Sequence, residues 1–511
     1  MGSCLIKTFF NLRNLLSCLL LISSFSLFAQ RKEKVELVRA ETLDGVVIEG
    51  VKAQKLIGNV VLKHQNTLMY CDTAFLYSKT NNIDAYGSIR INQGDTLNLY
   101  GDKLNYISKE GLAIVTGKEV KLIGKEFTLV TDRLYYNRIK NSAVYNTGGI
   151  IESNKDANLL SSRVGYFYMN RSLFTFKDSV KLSNPEFNMV SDTLEYSTNT
   201  KVVHFLGPTT IKGDNNLIYC ENGFYNTKND KSQYYSDAYI ISDGRKIVGD
   251  TLFYDRAKGY GQADGHVEIT DTAENVIITG EHCRIYEEKD SAIVTNKSML
   301  TQVFDEDSLF IRADTFKFFG SADSERKLFA YYDVRIFKSD LQGRCDSISY
   351  LLSDSIVKLH NDPVLWSESN QLTADSISLQ IANGKIQSIY LDKNAFIISQ
   401  LDSIRFNQIK GKEMRGYFKD SKLSKVEVRG NGQTTYYGQD ETNKFIGVNV
   451  AESSNIDIHL KDQAIDGITF LNRPKAVMYP MGTLDPVTEL RYRGFSWRIK
   501  EKPLNKNELL K

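Results

Sequence analysis

Tryptophan is nearly missing from this 511-residue chain, which holds two copies against 28 tyrosines and 26 phenylalanines. Proline is also scarce: of seven, only Pro185, Pro208 and Pro363 precede residue 470. Few ladder-breaking prolines and many β-favouring aromatics suit long sheets. The six histidines (His64, His204, His266, His282, His360 and His459) are scattered and form no HExxH or His-x-His pair. His282 and Cys283 are neighbours, but adjacent strand residues point to opposite faces, which excludes a shared metal. There is no Gly-x-Ser-x-Gly elbow and no phosphate loop. No catalytic residue, metal ligand or cofactor is therefore expected, and the chain is read as a non-enzyme. It also lacks any sustained 3.6-residue apolar stripe with caps, so helix should be minor.

An excess of either charge is missing as well. Residues 1–29 read as a secretory signal: basic Lys7 and Arg13, a mostly apolar run from Leu15 to Phe28, then Ala29 at a small-residue cleavage site. The charged Arg31-Lys32-Glu33-Lys34 follows at once, and the apolar run is short for a membrane span. Leu15-Leu16-Ser17-Cys18 loosely resembles a lipoprotein cleavage box, but with too short an apolar core before it. Removing the leader takes two basic residues and no acid from 64 Lys+Arg and 62 Asp+Glu, leaving 62 of each. A neutral chain of interspersed signs has no long-range field for nucleic acid or an anionic surface.

What is present is a repeat. The phrase Asp–x–apolar–x–aromatic recurs as Asp102-Leu104-Tyr106, Asp132-Leu134-Tyr136, Asp192-Leu194-Tyr196, Asp250-Leu252-Tyr254, Asp314-Phe316-Phe318, Asp346-Ile348-Tyr350 and Asp402-Ile404-Phe406. Looser copies start at Asp72, Ser162, Glu221 and Asp375, with a degenerate one around Glu281–Tyr286. A fixed period near thirty residues marks stacked supersecondary units. Apolar residues two apart make the phrase a strand with one buried face. A second strand precedes it, as in Val60-Val61-Leu62, Val120-Lys121-Leu122 and Val180-Lys181-Leu182, and several copies follow turn-type residues such as Gly58-Asn59, Gly148-Gly149, Asp264-Gly265 and Asn361-Asp362. Each unit thus reads turn, strand, short turn, strand, and short links require antiparallel pairing. The fold class is all-β, a long antiparallel repeat array over residues 30–410. Residues 411–511 form a C-terminal β extension whose end holds Pro474, Pro480, Pro486 and Pro503.

An Asp at a strand entry can accept hydrogen bonds from turn amides, and that structural role is the expectation for the ladder. Stacked carboxylates sharing calcium are the rival, without the Gly-Gly-x-Gly-x-Asp nonapeptides that calcium rolls carry. Cys71, Cys220 and Cys345 each precede the repeat's acidic position. Equivalent sites in non-adjacent units lie beyond the ~7 Å Cα limit of a disulfide, given strands ~4.8 Å apart, so buried free thiols are expected.

The repeat's apolar rows carry the functional clue. Leu104, Tyr106, Leu134, Tyr136, Leu194, Tyr196, Leu252 and Tyr254 align on one face of successive strands, and Val120, Leu122, Val180 and Leu182 align on partners. A long array makes a continuous apolar trough, and a trough that gapes accepts acyl chains at about 0.8 kcal/mol per buried methylene.

The run Gly58-Asn59-Val60-Val61-Leu62, Asp72-Thr73-Ala74-Phe75-Leu76-Tyr77, Asn82-Ile83-Asp84-Ala85-Tyr86-Gly87 resembles the OstA-like family. That family is related to the lipopolysaccharide-transport protein LptA and the N-terminal domain of LptD. Repetition extends the likeness over roughly residues 45 to 410. The resemblance implies an open β-jellyroll that holds lipopolysaccharide or lipid A between two sheets. It also implies end-strand pairing with other Lpt-type jellyrolls and an LptD-like outer-membrane partner, in the periplasm and associated with the outer membrane. The chain is far longer than LptA and lacks an evident terminal run of transmembrane strands. A glycan-binding or adhesive β-solenoid is the alternative, with aromatics facing outward. A β-helical carbohydrate enzyme would need a clustered acid pair in a cleft.

Overall fold

The computed structural model describes residues 34–510 apart from 94–96, 126, 156, 215, 243, 305–306, 321–325, 352, 383–384, 420–421, 443, 462–463 and 484–489. The expected leader and Cys18 lie outside the described residues. Among the described residues are 36 strands and five short 3-10 helices, with no α-helix. Consecutive strands pair antiparallel, as in Thr67–Tyr77 with Ile83–Gln93, Leu97–Ile107, Leu112–Ile123 and Phe127–Asn137 in turn. The chain divides into two compact units, residues 1–156 and 157–511.

In most copies, as at Asp72, Asp102, Asp132, Asp192, Asp314 and Asp346, the repeat's Asp does not start a strand but sits in the middle of one, whereas Asp250 and Asp375 stand just before Thr251–Asp255 and Ser376–Ala382. In Leu97–Ile107 the buried residues are Leu99, Leu104 and Tyr106, while Asp102 and Lys103 are both exposed. A straight strand cannot bury Leu99 and Leu104, five residues apart, on one face, because its side chains alternate with period two. The chain must bend between them, and the register shows where. Gly87 and Ser88 of the preceding strand together oppose Asp102, between the pairs Tyr86–Lys103 and Ile89–Gly101. This two-against-one arrangement is a β-bulge, which kinks the ladder. Gly87 and Ser88 have φ of 79° and 42°. A Cβ on Gly87 would also lie 2.2 Å from Asp72 Oδ2, so the site requires glycine twice over.

Each long strand is thus two half-strands meeting at a corner. In places the bend divides the partner outright: Lys231–Tyr235 and Tyr239–Ser242 pair with opposite halves of Asn216–Asn226, separated by left-handed Ser236 and Asp237. The half-sheets face each other. His64, at the end of one half, packs edge-on against Tyr106, in the other half two hairpins away, with ring centroids 5.7 Å apart. Gly58-Asn59, Gly265-His266 and Asn361-Asp362 do take positive φ, but as corners inside strands rather than as links between them. Sequence reading mistook bends for turns because both demand left-handed backbone.

The corner explains the Asp. Its carboxylate accepts from the bulge of the next strand: Ser88 Oγ donates to Asp72 Oδ2 at 3.0 Å, the Lys118 amide to Asp102 Oδ2 at 2.9 Å, and Asn394 Nδ2 to Asp375 Oδ1 at 2.9 Å. His266 Nδ1 lies 2.9 Å from Asp250 Oδ2. Asp402 differs further: it lies in a turn, where it accepts from the amides of Ile404 at 2.8 Å and Arg405 at 2.7 Å. The corner of the following strand, Phe406–Lys419, falls instead between its partners of Lys410 and Glu413. The same strand-and-corner build continues through Lys422–Gln439 and Phe445–Lys461.

Candidate functional site

The residue before the corner faces the inside of the bend, and only small side chains stand there: Cys71, Gly101, Thr131, Ser191, Cys220, Gly280, Ala313 and Cys345. Space is the reason. A Cβ on Gly101 would lie 2.4 Å from Val115 Cγ1, and one on Gly280 would lie 2.6 Å from Val294 Cγ1. Cysteine serves here as a small apolar residue. All four described cysteines are free and buried, and burial pushes the thiols of Cys71, Cys220, Cys283 and Cys345 up to about 12. At neutral pH they are protonated and unreactive.

Beyond the corner, the two half-sheets line an apolar interior. In the first unit Leu104, Tyr106, Val120, Leu122, Leu134 and Tyr136 all point into it, each at most 3% exposed, together with Leu99, Val115 and Leu129. Between them Lys103, Asn105 and Arg133 are exposed. In the second unit Val180, Leu194 and Leu252 are buried, whereas Leu182, Tyr196 and Tyr254 are half-buried. Tyr254 carries its hydroxyl to Glu287 Oε1 at 3.0 Å. Tyr106 and Tyr136 therefore face inward, while the later tyrosines lie nearer the rim. In the second unit Ile409, Ile458, Ile465 and Ile468 border a small cavity of about 40 Å³. That volume suits water, not an acyl chain.

Opposite the corners two rows of hairpin turns meet in a seam. Single side chains cross this seam. Arg256 reaches Glu186 at 3.5 Å and Arg326 reaches Glu274 at 3.2 Å in the second unit, and Arg138 meets Gln65 in the first. The two exposed ion pairs contribute about 1 kcal/mol or less each.

A feature that the sequence reading missed lies on the outer face of the second unit. Residues 490–510 run back across the strands as a strap. Two buried glutamines hold it in the same way. Gln408 Nε2 donates to the Leu490 carbonyl at 2.6 Å and its Oε1 accepts from the Tyr492 amide at 3.1 Å. Gln371 Nε2 donates to the Ser496 carbonyl at 2.7 Å and its Oε1 accepts from the Arg498 amide at 2.6 Å. Tyr492, Phe495 and Trp497 cover Phe396, Ile398 and Phe406. Further on, Arg312, Arg335 and Arg344 stand in register on three neighbouring strands, an arrangement of like charges that repels. Asp333 answers all three, at 3.0, 2.9 and 3.4 Å, and the strap's Glu501 adds a second acid to Arg344 at 3.0 Å. Burial pushes the Asp333 carboxyl up, but the Arg335 hydrogen bond and the three guanidinium charges outweigh it and hold it low. The sequence did carry a mark of the strap. Val364-Leu365-Trp366 and Ala395-Phe396-Ile397-Ile398 are unbroken apolar runs, as expected of strands covered on both faces.

The arrangement defines an all-β protein: corner-bent antiparallel strands forming a β-jellyroll around an apolar interior. Residues 32–192 match the family described as OstA-like protein, so this part of the chain is OstA-like, as its residues implied. No curated protein matches the chain. Among solved structures it is similar to LptH of Pseudomonas aeruginosa, described as the LptA-homologous periplasmic component of the lipopolysaccharide transport device. That likeness is 12% identical over 23% of this chain and 95% of that one, with a TM-score of 0.21. It is also similar to the WD40 domain of SCAP from fission yeast, at 9% identity over 79% of this chain and 96% of that one, with a TM-score of 0.12.

Proposed function

We propose that this protein is an exported carrier or bridge for a lipopolysaccharide-type glycolipid, acting in the periplasm in outer-membrane assembly, and that it is not an enzyme. The observation that carries the reading is the inward apolar row Leu104, Tyr106, Leu134 and Tyr136, unbroken across successive strands. A twelve-carbon acyl chain laid along such a row gains roughly 9 kcal/mol from burial, before the cost of parting the half-sheets. The OstA-like match over residues 32–192 supports the same reading.

Its partners are other jellyrolls paired at the end strands, including an outer-membrane one of LptD type. Among the described residues Thr42–Ile48 pairs only with Val51–His64, and its Leu43 and Val47 are 51% and 68% exposed. Among the described residues Lys475–Pro480 pairs only with Phe445–Lys461, and its Val477 and Met478 are about half exposed. Unpaired edges with apolar side chains favour strand addition. The adhesive reading requires outward aromatics, and buried Tyr106 and Tyr136 speak against it.

Mass spectrometry of lipid extracted from the protein purified out of its native envelope tests the proposal. The expected species is an acylated, phosphorylated sugar lipid in near-stoichiometric amount. Protein that emerges without lipid, yet binds glycans, belongs to the adhesive class.

A further inference from the structure

At the seam of the first unit, polar side chains gather that the apolar trough does not explain. His64 is 4% exposed and its Nδ1 lies 2.6 Å from the Tyr106 hydroxyl. The Arg138 guanidinium reaches across to Gln65 and acts on the hydroxyls of both Tyr106 and Tyr136. The Tyr136 ring is 2% exposed, and its hydroxyl is buried with no hydrogen-bond partner among the described residues. Arg138 Nε is likewise buried and unpartnered. Two orphaned donors side by side are an unusual pair of omissions, because buried polar groups are nearly always satisfied.

The second unit supplies the contrast. Arg256 follows the repeat's Tyr254 by two residues, as Arg138 follows Tyr136, and it also crosses the seam; there it meets the carboxylate of Glu186. Arg138 meets a neutral amide instead, and no carboxylate among the described residues pairs with it. A cation at a partly buried site without a counter-ion leaves an uncompensated charge. A guanidinium beside two phenolic hydroxyls offers the donors that an anion with several acceptor oxygens takes up, and Arg suits phosphate by its forked geometry. Immediately beneath lie Leu104, Leu134 and Val115, all buried.

We propose that Arg138, with the hydroxyls of Tyr106 and Tyr136, receives a phosphate monoester at the mouth of the first unit's interior. The ligand is the phosphorylated headgroup of an amphiphile whose acyl chain enters between the half-sheets. This rests on the carrier reading and adds to it the group that orients the lipid, head at the seam and tail toward the corners. Entry of the headgroup breaks the Arg138–Gln65 crossing, so binding and opening of the seam are one event.

Calorimetric titration of the full chain with dodecyl phosphate, dodecyl maltoside and inorganic phosphate tests it. Dodecyl phosphate is expected to bind roughly tenfold or more tightly than dodecyl maltoside, the increment of a charge-assisted hydrogen bond. Arg138→Gln should erase that preference and leave maltoside binding in place, whereas Arg138→Lys should keep part of it. Tyr136→Phe should lower the preference several-fold without lowering the melting temperature, because it removes an orphaned hydroxyl rather than a bonded one. A purely structural tyrosine would not separate those two readouts. Equal binding of both dodecyl compounds, or a preference that survives Arg138→Gln, overturns the headgroup site while the carrier reading stands. Inorganic phosphate binding as tightly as dodecyl phosphate assigns the site to the free ion and also overturns it. If neither dodecyl compound binds, the carrier reading itself fails.

Discussion

Strands of the first unit and those around residues 364–410 of the second share one corner but treat their outer faces differently. In Leu97–Ile107 and Phe127–Asn137 the outward residues Lys103, Asn105 and Arg133 are exposed. In Val364–Ser367 and Lys385–Gln400 the outward Trp366, Phe396 and Ile398 are as buried as any interior residue, and the strap lies over Phe396 and Ile398. The corner is therefore a property of the repeat, set by a small residue and a left-handed bulge and trimmed by an Asp. Covering is a local addition. It follows that the first unit has one apolar layer to open or close, and the strapped region has two.

Substitution of the inner layer gives the largest expected effect. Leu134→Asp places a charge in a fully buried apolar site, and should destabilise by about 4 kcal/mol or more. Leu194→Asp should behave alike in the second unit, while Glu195→Lys, between two inward residues, should change urea midpoints very little. Equal losses from Leu194→Asp and Glu195→Lys would contradict the assignment of faces.

Next comes the outer layer. Gln371→Ala strands the Ser496 carbonyl and the Arg498 amide, and Gln408→Ala does the same to Leu490 and Tyr492. Each should cost about 1–3 kcal/mol of strap docking. Limited proteolysis should then cut within 490–510 while the strands stay intact. A strap as resistant in the double variant as in the parent would show that the amide clamps do not hold it.

Acid separates the two regions more gently. The Arg498 hydrogen bond, outweighing burial, holds the Glu501 carboxyl below its ordinary value of 4.5. A carboxyl depressed by folding stabilises fully above its unfolded pKa, and that contribution is lost as pH falls through the lower folded value. Strap docking should thus be constant from neutral pH down to about 4.5 and weaken below it. Glu501→Gln should abolish this pH response. Loosening that begins on the alkaline side would contradict the sign.

The smallest effect belongs to the corner carboxylates. Asp72→Ala removes an exposed hydrogen bond to Ser88 and should cost about 0.5–1 kcal/mol, read as a small shift in melting temperature. A loss of several kcal/mol would mean that the Asp holds the bend rather than trims it.

The sequence made the period, the antiparallel β class and the inward rows legible, because burial on one face writes itself as alternation. It did not show that each strand bends. The break in phase from Leu99 to Leu104 was present but hidden by the Asp phrase, which looked like a strand start. The strap stayed unread for another reason: its contacts span more than a hundred residues, as from Gln371 to Arg498. Only the unbroken runs at Val364-Leu365-Trp366 and Ala395-Phe396-Ile397-Ile398 hinted at a second cover. The donor cluster at Arg138 is likewise invisible in one dimension, since Gln65, Tyr106 and Arg138 come from different hairpins.

Site-specific photo-crosslinking in intact cells tests the central claim most directly, with the probe at Leu134 and, for comparison, at its outward neighbour Arg133. The account expects lipid adducts from Leu134 and essentially none from Arg133. Adducts of equal yield from both, or none from Leu134 in a folded and exported protein, would contradict it.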